Sequence, residues 1–269
     1  MGVLIGILTG CGASIVGVQV DGWGGTVVDD VGSLPRVDAR TAAEWQSGHI
    51  PGAAQVHWTE LTGMDADGLW DVLPVQSLQA LFATRGVSSA APVVIYGSGS
   101  EGYGDDGNVY WALRYLGHAQ VQVLNGGWAG WLSSGNAPST ESDVPEPVEF
   151  QAAVDADVLA TTEQVARFDG VLLDVRSEEE WLQGHIPGAI WMEWSEVFDD
   201  GITLRSEAAL RGLFADLGIN TDTPVIVYCA GGIRAGHTFM VLEALGHTDV
   251  RNYVGSWARW SAEGGEIEY

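Results

Sequence analysis

The 269-residue chain contains no lysine and only two cysteines. Two cysteines cannot build a disulfide framework, so the fold must depend on a hydrophobic core. The 11 basic residues are all arginines and face 36 acidic residues, which gives a formal net charge of −25. A surface this acidic repels nucleic acid and anionic lipid. No apolar run reaches the roughly 20 residues that a transmembrane helix needs. These absences exclude a disulfide-rich scaffold and argue against nucleic acid as a partner.

One of the two cysteines, Cys229, lies between a predicted strand and a predicted helix. The apolar segment Val225–Tyr228 precedes it and is typical of a central parallel strand covered on both faces. Apolar residues at 239–245 form a helical stripe that ends at Gly246, where a left-handed cap is favoured. In open α/β sheets, ligands bind beyond the carboxyl ends of the strands, and a helix N-terminus attracts anions. The position therefore favours a binding or catalytic loop.

The composition of this loop predicts a reactive thiol. Helix N-termini and nearby arginines can lower the pKa of a cysteine from about 8.5 to roughly 3.5–7.5, which makes the sulfur a nucleophile. Arg234 supplies such a cation five positions after Cys229. Gly231, Gly232 and Gly236 allow backbone N–H groups to turn toward an anionic sulfur. The alternative is a buried structural cysteine, which would gain nothing from three glycines.

The loop resembles the active loop of the rhodanese family of sulfurtransferases. Its pattern is Cys-x-x-Gly-x-Arg, with four residues between Cys229 and Arg234. Cysteine-dependent phosphatases place five residues there, so their chemistry is disfavoured. The resemblance implies that Cys229 carries sulfur as a persulfide and that Arg234 binds the sulfonate or carboxylate of a donor. The residues that it predicts around the substrate are Ala230, Gly231, Gly232, Ile233, Arg234 and Ala235.

Most of the chain is an internal repeat. Asp38-Ala39-Arg40 returns as Asp174-Val175-Arg176, and Gly-His-Ile-Pro-Gly-Ala occurs at both 48–53 and 184–189. This pattern resembles the tandem-domain thiosulfate and 3-mercaptopyruvate sulfurtransferases. The resemblance implies an α/β fold of two rhodanese-like domains, each a parallel sheet flanked by helices. We expect a first, inactive domain at 25–132, a linker at 133–154 and a catalytic domain at 155–269, preceded by an N-terminal segment at 1–24.

The first half lacks the nucleophile. Gly97 stands where the second half has Cys229, and the loop after it is longer and contains three carboxylates. That loop also matches Gly-x-Gly-x-x-Gly, which is a dinucleotide-binding pattern in some folds. The repeat favours a sulfur loop that has lost its cysteine over a nucleotide site, because the acidic side chains would repel a pyrophosphate.

Three further residues near the predicted loop are candidates for supporting roles. Asp174 and Arg176 have counterparts in the first half, which favours a structural ion pair that braces the loop. His237 falls in the first turn of the predicted helix, within reach of an incoming donor, although a solvated side chain is the favoured interpretation. No group of His, Cys and acidic residues has metal-ligand spacing, so neither a metal nor a cofactor is expected.

The resulting functional hypothesis is a thiosulfate sulfurtransferase that passes sulfur to a thiol or to cyanide. Two alternatives stay open, namely a 3-mercaptopyruvate sulfurtransferase and a noncatalytic persulfide carrier or binding module. The residues after Cys229 match neither the paired basic residues typical of thiosulfate enzymes nor the Gly-Ser-Gly-Val-Thr of mercaptopyruvate enzymes. The single cation Arg234 favours thiosulfate.

The segment Leu-Thr-Gly-Cys at 8–11 resembles a bacterial lipoprotein cleavage box. The resemblance implies a lipid anchor on Cys11 and a location in the cell envelope or periplasm. The segment lacks a positively charged start, and its apolar stretch is short. The alternative is that Cys11 belongs to an ordinary apolar strand of a cytoplasmic protein.

Overall fold

The computed structural model describes residues 23–142 and 145–269, which form two α/β halves. In the first half, five parallel strands form one sheet in the order β1-β7-β6-β2-β3, and β4 and β5 form an antiparallel hairpin. The elements of this half are β1 (Val27–Val28), β2 (Arg36–Asp38), α1 (Ala42–Ser47), β3 (Ala53–Gln55), β4 (Thr62–Met64), β5 (Trp70–Val72), α2 (Val75–Thr84), β6 (Val93–Tyr96), α3 (Asp105–Tyr115), β7 (Val121–Leu124) and α4 (Gly127–Ser133).

The second half repeats this order around a four-stranded parallel sheet, β11-β10-β8-β9. Its elements are α5 (Thr162–Val165), β8 (Val171–Asp174), α6 (Glu178–Leu182), β9 (Ile190–Trp191), α7 (Glu207–Asp216), β10 (Val225–Tyr228), α8 (Ile233–Ala244), β11 (Val250–Asn252) and α9 (Ser256–Ala262). The predicted fold class, two parallel sheets flanked by helices, is confirmed.

The central strands and their helices form for reasons visible in the sequence. All four residues of β6 and of β10 are buried, which explains why neither strand alternates polar and apolar residues. The short helices α1 and α6 begin with capping boxes, Thr41 with Glu44 and Ser177 with Glu180. In each box the two residues satisfy backbone N–H groups that have no partner within the helix.

The two halves meet along α3 and α8, which form the most extensive contact between described elements. The helices cross at glycines. A Cβ atom on Gly236 would lie 2.9 Å from the Cα of Asn108, and one on Gly107 would collide with His237. One hydrophobic cluster includes buried side chains of both halves, among them Val109 and Phe239. The halves are therefore held in a fixed relation by a shared apolar core.

The segment that joins the halves follows the first half closely. The Ser139 backbone pairs with that of His49, and Phe150 is buried against Phe82 with ring centroids 5.8 Å apart. No helix within residues 23–142 and 145–269 has both the length and the apolar character to cross a membrane. Cys11 lies outside the described residues.

Candidate active site

Cys229 follows directly on the last residue of β10, at the carboxyl end of the second sheet, as predicted. Its side chain is 1% exposed and lies at a pocket of about 310 Å³. The Cys229 carbonyl accepts a hydrogen bond from the N–H of Trp257 at 3.0 Å. The Ala230 carbonyl accepts one from Ala258 at 3.1 Å. The start of α9 therefore holds the backbone on which the thiol sits.

Gly232 brings a backbone N–H to the sulfur. This N–H lies 3.1 Å from the Sγ of Cys229 and donates to it. Gly232 has a φ of 86° and precedes the first residue of α8. A Cβ at this position would also lie 2.8 Å from the carbonyl oxygen of Val254, so only glycine fits. The sulfur therefore faces the N-terminus of α8, where negative charge is stabilised.

Two asparagine side-chain amides donate hydrogen bonds to the carbonyl oxygen of Gly232. Asn252, at the end of β11, donates to the Gly232 carbonyl at 3.2 Å. Asn108, on α3 of the first half, donates to the same oxygen at 3.4 Å. Both side chains are buried. The loop around the sulfur is therefore fixed partly from the half that lacks the cysteine.

Ser256 binds the backbone of Cys229. Its hydroxyl accepts a hydrogen bond from the Cys229 N–H at 3.1 Å and donates to the Tyr253 carbonyl at 2.7 Å. Ser256 is fully buried and has a φ of 48°, a left-handed conformation that is unusual for a residue with a Cβ. In the repeat, Gly127 stands in its place with a φ of 50°. Serine at this strained position supplies a hydroxyl for the Cys229 N–H, which glycine could not do.

Arg234 forms a two-point ion pair with Glu180. Its Nη1 and Nη2 atoms donate to the two carboxylate oxygens at 2.7 and 2.9 Å. The hydrogen bond from Arg234 lowers the pKa of Glu180 to about 2, so the carboxylate is charged at neutral pH. Burial acts to lower the pKa of Arg234, but Glu180 and Cys229 outweigh it and raise it. Arg234 thus faces both the sulfur and a permanent counter-ion.

The pocket over the sulfur has contributions from both halves. Its lining consists of Tyr103, Glu180, Cys229, Ala230, Gly231, Ile233 and Arg234. Tyr103 comes from the first half, with a φ of 55° and a side chain that is 65% exposed. An aromatic ring from one half therefore stands at the entrance of the pocket in the other.

The predicted ion pair between Asp174 and Arg176 is present, at 2.6 Å and almost fully buried. Arg176 also donates to the Gly184 carbonyl at 2.8 Å. Its guanidinium lies 4.6 Å from the ring centroid of Trp257, the residue whose N–H binds the Cys229 carbonyl. Asp38 makes the same buried pair with its own arginine in the first half. The pair therefore belongs to the scaffold of both halves.

A family model described as Rhodanese-like domain matches the chain twice, at residues 28–134 and 157–263. The chain belongs to the rhodanese family. A "Thiosulfate sulfurtransferase" from Pseudomonas aeruginosa is 34% identical over 241 residues, covering 83% of this chain and 86% of the relative. A "Sulfur carrier protein TtuD" from Thermus thermophilus is 30% identical over 246 residues, covering 80% and 83%.

Solved structures of the same fold include EanB in complex with hercynine. The TM-score is 0.77 at 23% sequence identity, and the match covers 89% of this chain. This chain spans 64% of the EanB chain. At this identity the likeness concerns the fold alone, and it agrees with two rhodanese domains packed as one unit.

The first rhodanese domain has an acidic side chain where the second has its thiol. The carboxylate of Asp105 fills the space that a Cβ on Gly97 would need. It accepts hydrogen bonds from the N–H groups of Ser98 at 3.3 Å and Asp106 at 3.0 Å. Burial and the neighbouring Asp106 raise the pKa of Asp105 well above its ordinary value. The loop of the first domain is therefore packed around the carboxylate of Asp105.

Two of the predicted site residues are placed elsewhere by the structure. His237 is 2% exposed, so the expectation of a solvated side chain is wrong. It packs at the domain interface against Trp194 and Phe198, and burial lowers its pKa. His237 does not line the pocket, and neither does Ala235, which is fully buried within α8. Of the other residues predicted to surround the substrate, Ala230, Gly231, Ile233 and Arg234 line the pocket, and Gly232 contacts the sulfur through its N–H.

Several residues of the site could not be recognised from the sequence. Tyr103 and Asn108 come from the first domain, and no spacing along the chain connects them to Cys229. Ser256 left a signal, since it stands where the repeat has Gly127, and a tryptophan follows in both halves, at Trp128 and Trp257. Glu180 left a weaker one, because its counterpart Glu44 looks like an ordinary capping residue. Within the described chain, no three His, Cys, Asp or Glu side chains are grouped so as to hold a metal ion.

Proposed function

We propose that the chain is a rhodanese-type sulfurtransferase that moves the outer sulfur of thiosulfate to a thiol or to cyanide through a persulfide on Cys229. The observation that carries this proposal is the placement of the Cys229 sulfur. It lies at the carboxyl end of β10, with the Gly232 N–H 3.1 Å away and Arg234 in the same pocket. Such an arrangement stabilises an anionic sulfur, and the pocket gives a small donor a way to reach it.

The reaction has two displacement steps. The Cys229 thiolate attacks the outer sulfur of thiosulfate, the sulfur–sulfur bond of the donor breaks, and its electron pair leaves with sulfite. Arg234 binds the sulfonate of the donor during this step. The persulfide that remains on Cys229 is held by the Gly232 N–H and the neighbouring loop N–H groups. The acceptor then attacks the outer sulfur, and the electron pair returns to the sulfur of Cys229. Cyanide would leave as thiocyanate, and a thiol as its own persulfide, which completes a ping-pong cycle.

Thiosulfate is the proposed donor for two reasons. Arg234 supplies a cation for a sulfonate, and relatives from Pseudomonas aeruginosa and Azotobacter vinelandii, 34% and 32% identical, are named thiosulfate sulfurtransferases. The alternative donor is 3-mercaptopyruvate, whose carboxylate could pair with the same arginine. Turnover with 3-mercaptopyruvate equal to or faster than with thiosulfate would reverse this order.

A persulfide carrier is the second candidate, and the relative named as a sulfur carrier favours it. A carrier would take up one sulfur and release it slowly to small acceptors. An enzyme would turn over many times. Thiocyanate formed per protein molecule, followed through an initial burst into the steady state, separates these two functions.

The first test is intact mass before and after thiosulfate, on the wild type and on Cys229→Ser. We expect a gain of about 32 Da, one sulfur, on the wild type alone, followed by repeated thiocyanate formation when cyanide is added. No gain in mass on either protein would reject thiosulfate as the donor. A gain in mass on Cys229→Ser would show that another residue carries the sulfur.

A further inference from the structure

The pocket over Cys229 has little net charge, although it contains an arginine. Among the described residues that line it, Arg234 is the one cation and Glu180 the one carboxylate. Both guanidinium Nη atoms of Arg234 donate to Glu180, at 2.7 and 2.9 Å. A donor that pairs with the same edge of the guanidinium must compete with an anion that is already there. A dianion meets the strongest repulsion from that anion.

Glu180 is also fixed in place from its other side. Its Oε2 atom accepts hydrogen bonds from the N–H of Ser177 at 3.0 Å and from the Ser177 hydroxyl at 3.1 Å. These are the contacts of the capping box that starts α6. The carboxylate cannot leave Arg234 without disturbing the start of its own helix, so the incoming donor does not simply push it aside.

The first domain contains the same capping box without the arginine. Glu44 accepts hydrogen bonds from the backbone and hydroxyl of Thr41 at the start of α1. Within residues 23–142 and 145–269, no arginine lies within ion-pair distance of Glu44. A glutamate side-chain oxygen therefore caps the helix in both domains, whereas the contact of that glutamate with a pocket cation is found in the second domain.

We propose that Glu180 is a specificity-determining residue that shields Arg234 and biases the pocket against dianionic donors. The inference rests on the proposed sulfur transfer and refines its substrate class. Thiosulfate is therefore bound more weakly than an unshielded arginine would bind it, whereas sulfur donors of lower charge, such as organic persulfides, lose less from the shielding. The remaining lining suits such donors, because Tyr103, Ala230 and Ile233 offer uncharged surface.

The first experiment compares thiosulfate kinetics of the wild type, Glu180→Gln and Glu44→Gln. Glutamine keeps a capping oxygen, and Gln164 already serves in this way in the capping box of α5. We expect Glu180→Gln to lower the KM for thiosulfate by about 1.5-fold to fivefold, the range typical of a partly exposed charge pair. Glu44→Gln changes the net charge equally and should leave KM unchanged. An unchanged or higher KM in Glu180→Gln would overturn the proposal.

A second measurement does not depend on sulfur transfer. Iodoacetate and iodoacetamide both attack the thiolate, but only iodoacetate is an anion. The ratio of their rates at the Cys229-containing peptide, measured by mass spectrometry, therefore cancels any change in the thiolate population. We expect Glu180→Gln to raise the iodoacetate-to-iodoacetamide ratio severalfold and Glu44→Gln to leave it unchanged. An unchanged ratio would refute the role of Glu180 even if thiosulfate is turned over. A raised ratio without turnover would reject the sulfurtransferase and keep the charge bias.

Discussion

The carboxylate of Asp105 occupies the space that a side chain at Gly97 would need. Gly97 follows β6 as Cys229 follows β10, so the two positions correspond in the repeat. The first domain therefore differs from the second in two linked ways: it has glycine in place of the cysteine, and an acidic side chain fills the space beside that glycine. A single substitution cannot restore a sulfur site there.

Replacing Gly97 with cysteine should destabilise the protein without creating a second sulfur site. The new side chain would collide with Asp105, and overpacking of this kind costs about 1–3 kcal/mol. We expect a lower melting temperature for Gly97→Cys. In a Cys229→Ser background we expect no gain of sulfur after thiosulfate, as judged by intact mass. Sulfur uptake by that double variant would show that the first loop is still competent.

Asp105 should make the stability of the protein decrease as the pH rises. Burial and Asp106 raise the pKa of Asp105, so the folded state holds this proton more tightly than the unfolded chain. The stabilisation is complete below the unfolded pKa of about 3.9 and is lost as the pH rises through the folded pKa. Asp105→Asn cannot ionise, so its melting temperature should exceed that of the wild type at pH 8.

The gain from Asp105→Asn should shrink as the pH falls. Each 1 kcal/mol gained raises the melting temperature of a protein of this size by about 2–4 °C. Glu101→Gln is the control, because Glu101 lies in the same loop with an exposed side chain. Melting curves of the three proteins between pH 5 and pH 8 test the sign. A gain that grows toward low pH would contradict the assignment.

Ser256 is a second residue that distinguishes the second domain from the first, which has Gly127 at the corresponding position. Replacing it with glycine reproduces the residue of the first domain, relieves a left-handed conformation worth roughly 1–2 kcal/mol, and removes the acceptor of the Cys229 N–H. An unsatisfied buried N–H costs about 1–3 kcal/mol, so the two effects largely cancel in the free energy of unfolding. We expect Ser256→Gly to melt near the wild type and to have a lower kcat for sulfur transfer. If Ser256→Gly retains the kcat of the wild type, Ser256 has no part in positioning Cys229.

The contrast between Cys229 and Tyr103 shows which residues of the site can be predicted from the sequence and which cannot. The Cys229 loop is local, since a buried strand, three glycines and an arginine follow one another along the chain, and each has a physical reason to be there. Tyr103 reaches the pocket because α3 and α8 cross at Gly107 and Gly236, a packing arrangement between distant segments. The burial of His237 has the same cause. Periodicity places a residue on its helix but does not say which other helix covers it.

Asn108 and Asn252 should act together, because both amides donate to the Gly232 carbonyl, at 3.4 and 3.2 Å. The N–H of Gly232 binds the Cys229 sulfur. Loss of the hydrogen bonds to the Gly232 carbonyl should therefore let this N–H move and bind a persulfide on Cys229 less well. We expect Asn252→Ala and Asn108→Ala each to shorten the lifetime of the preloaded persulfide less than the loss of both amides does. Decay of the 32 Da adduct in buffer without an acceptor measures this lifetime.

The double variant of Asn108 and Asn252 decides whether they share one task. Two residues that hold the same atom give effects that do not add, whereas independent sites add within about 0.3–0.5 kcal/mol. If one amide suffices to orient Gly232, each single variant should change the persulfide lifetime little and the double variant far more. Melting temperatures run in parallel separate a loss of folding from a loss of positioning. Additive effects on the lifetime would mean that the first domain supports the second only through the packing of α3 against α8.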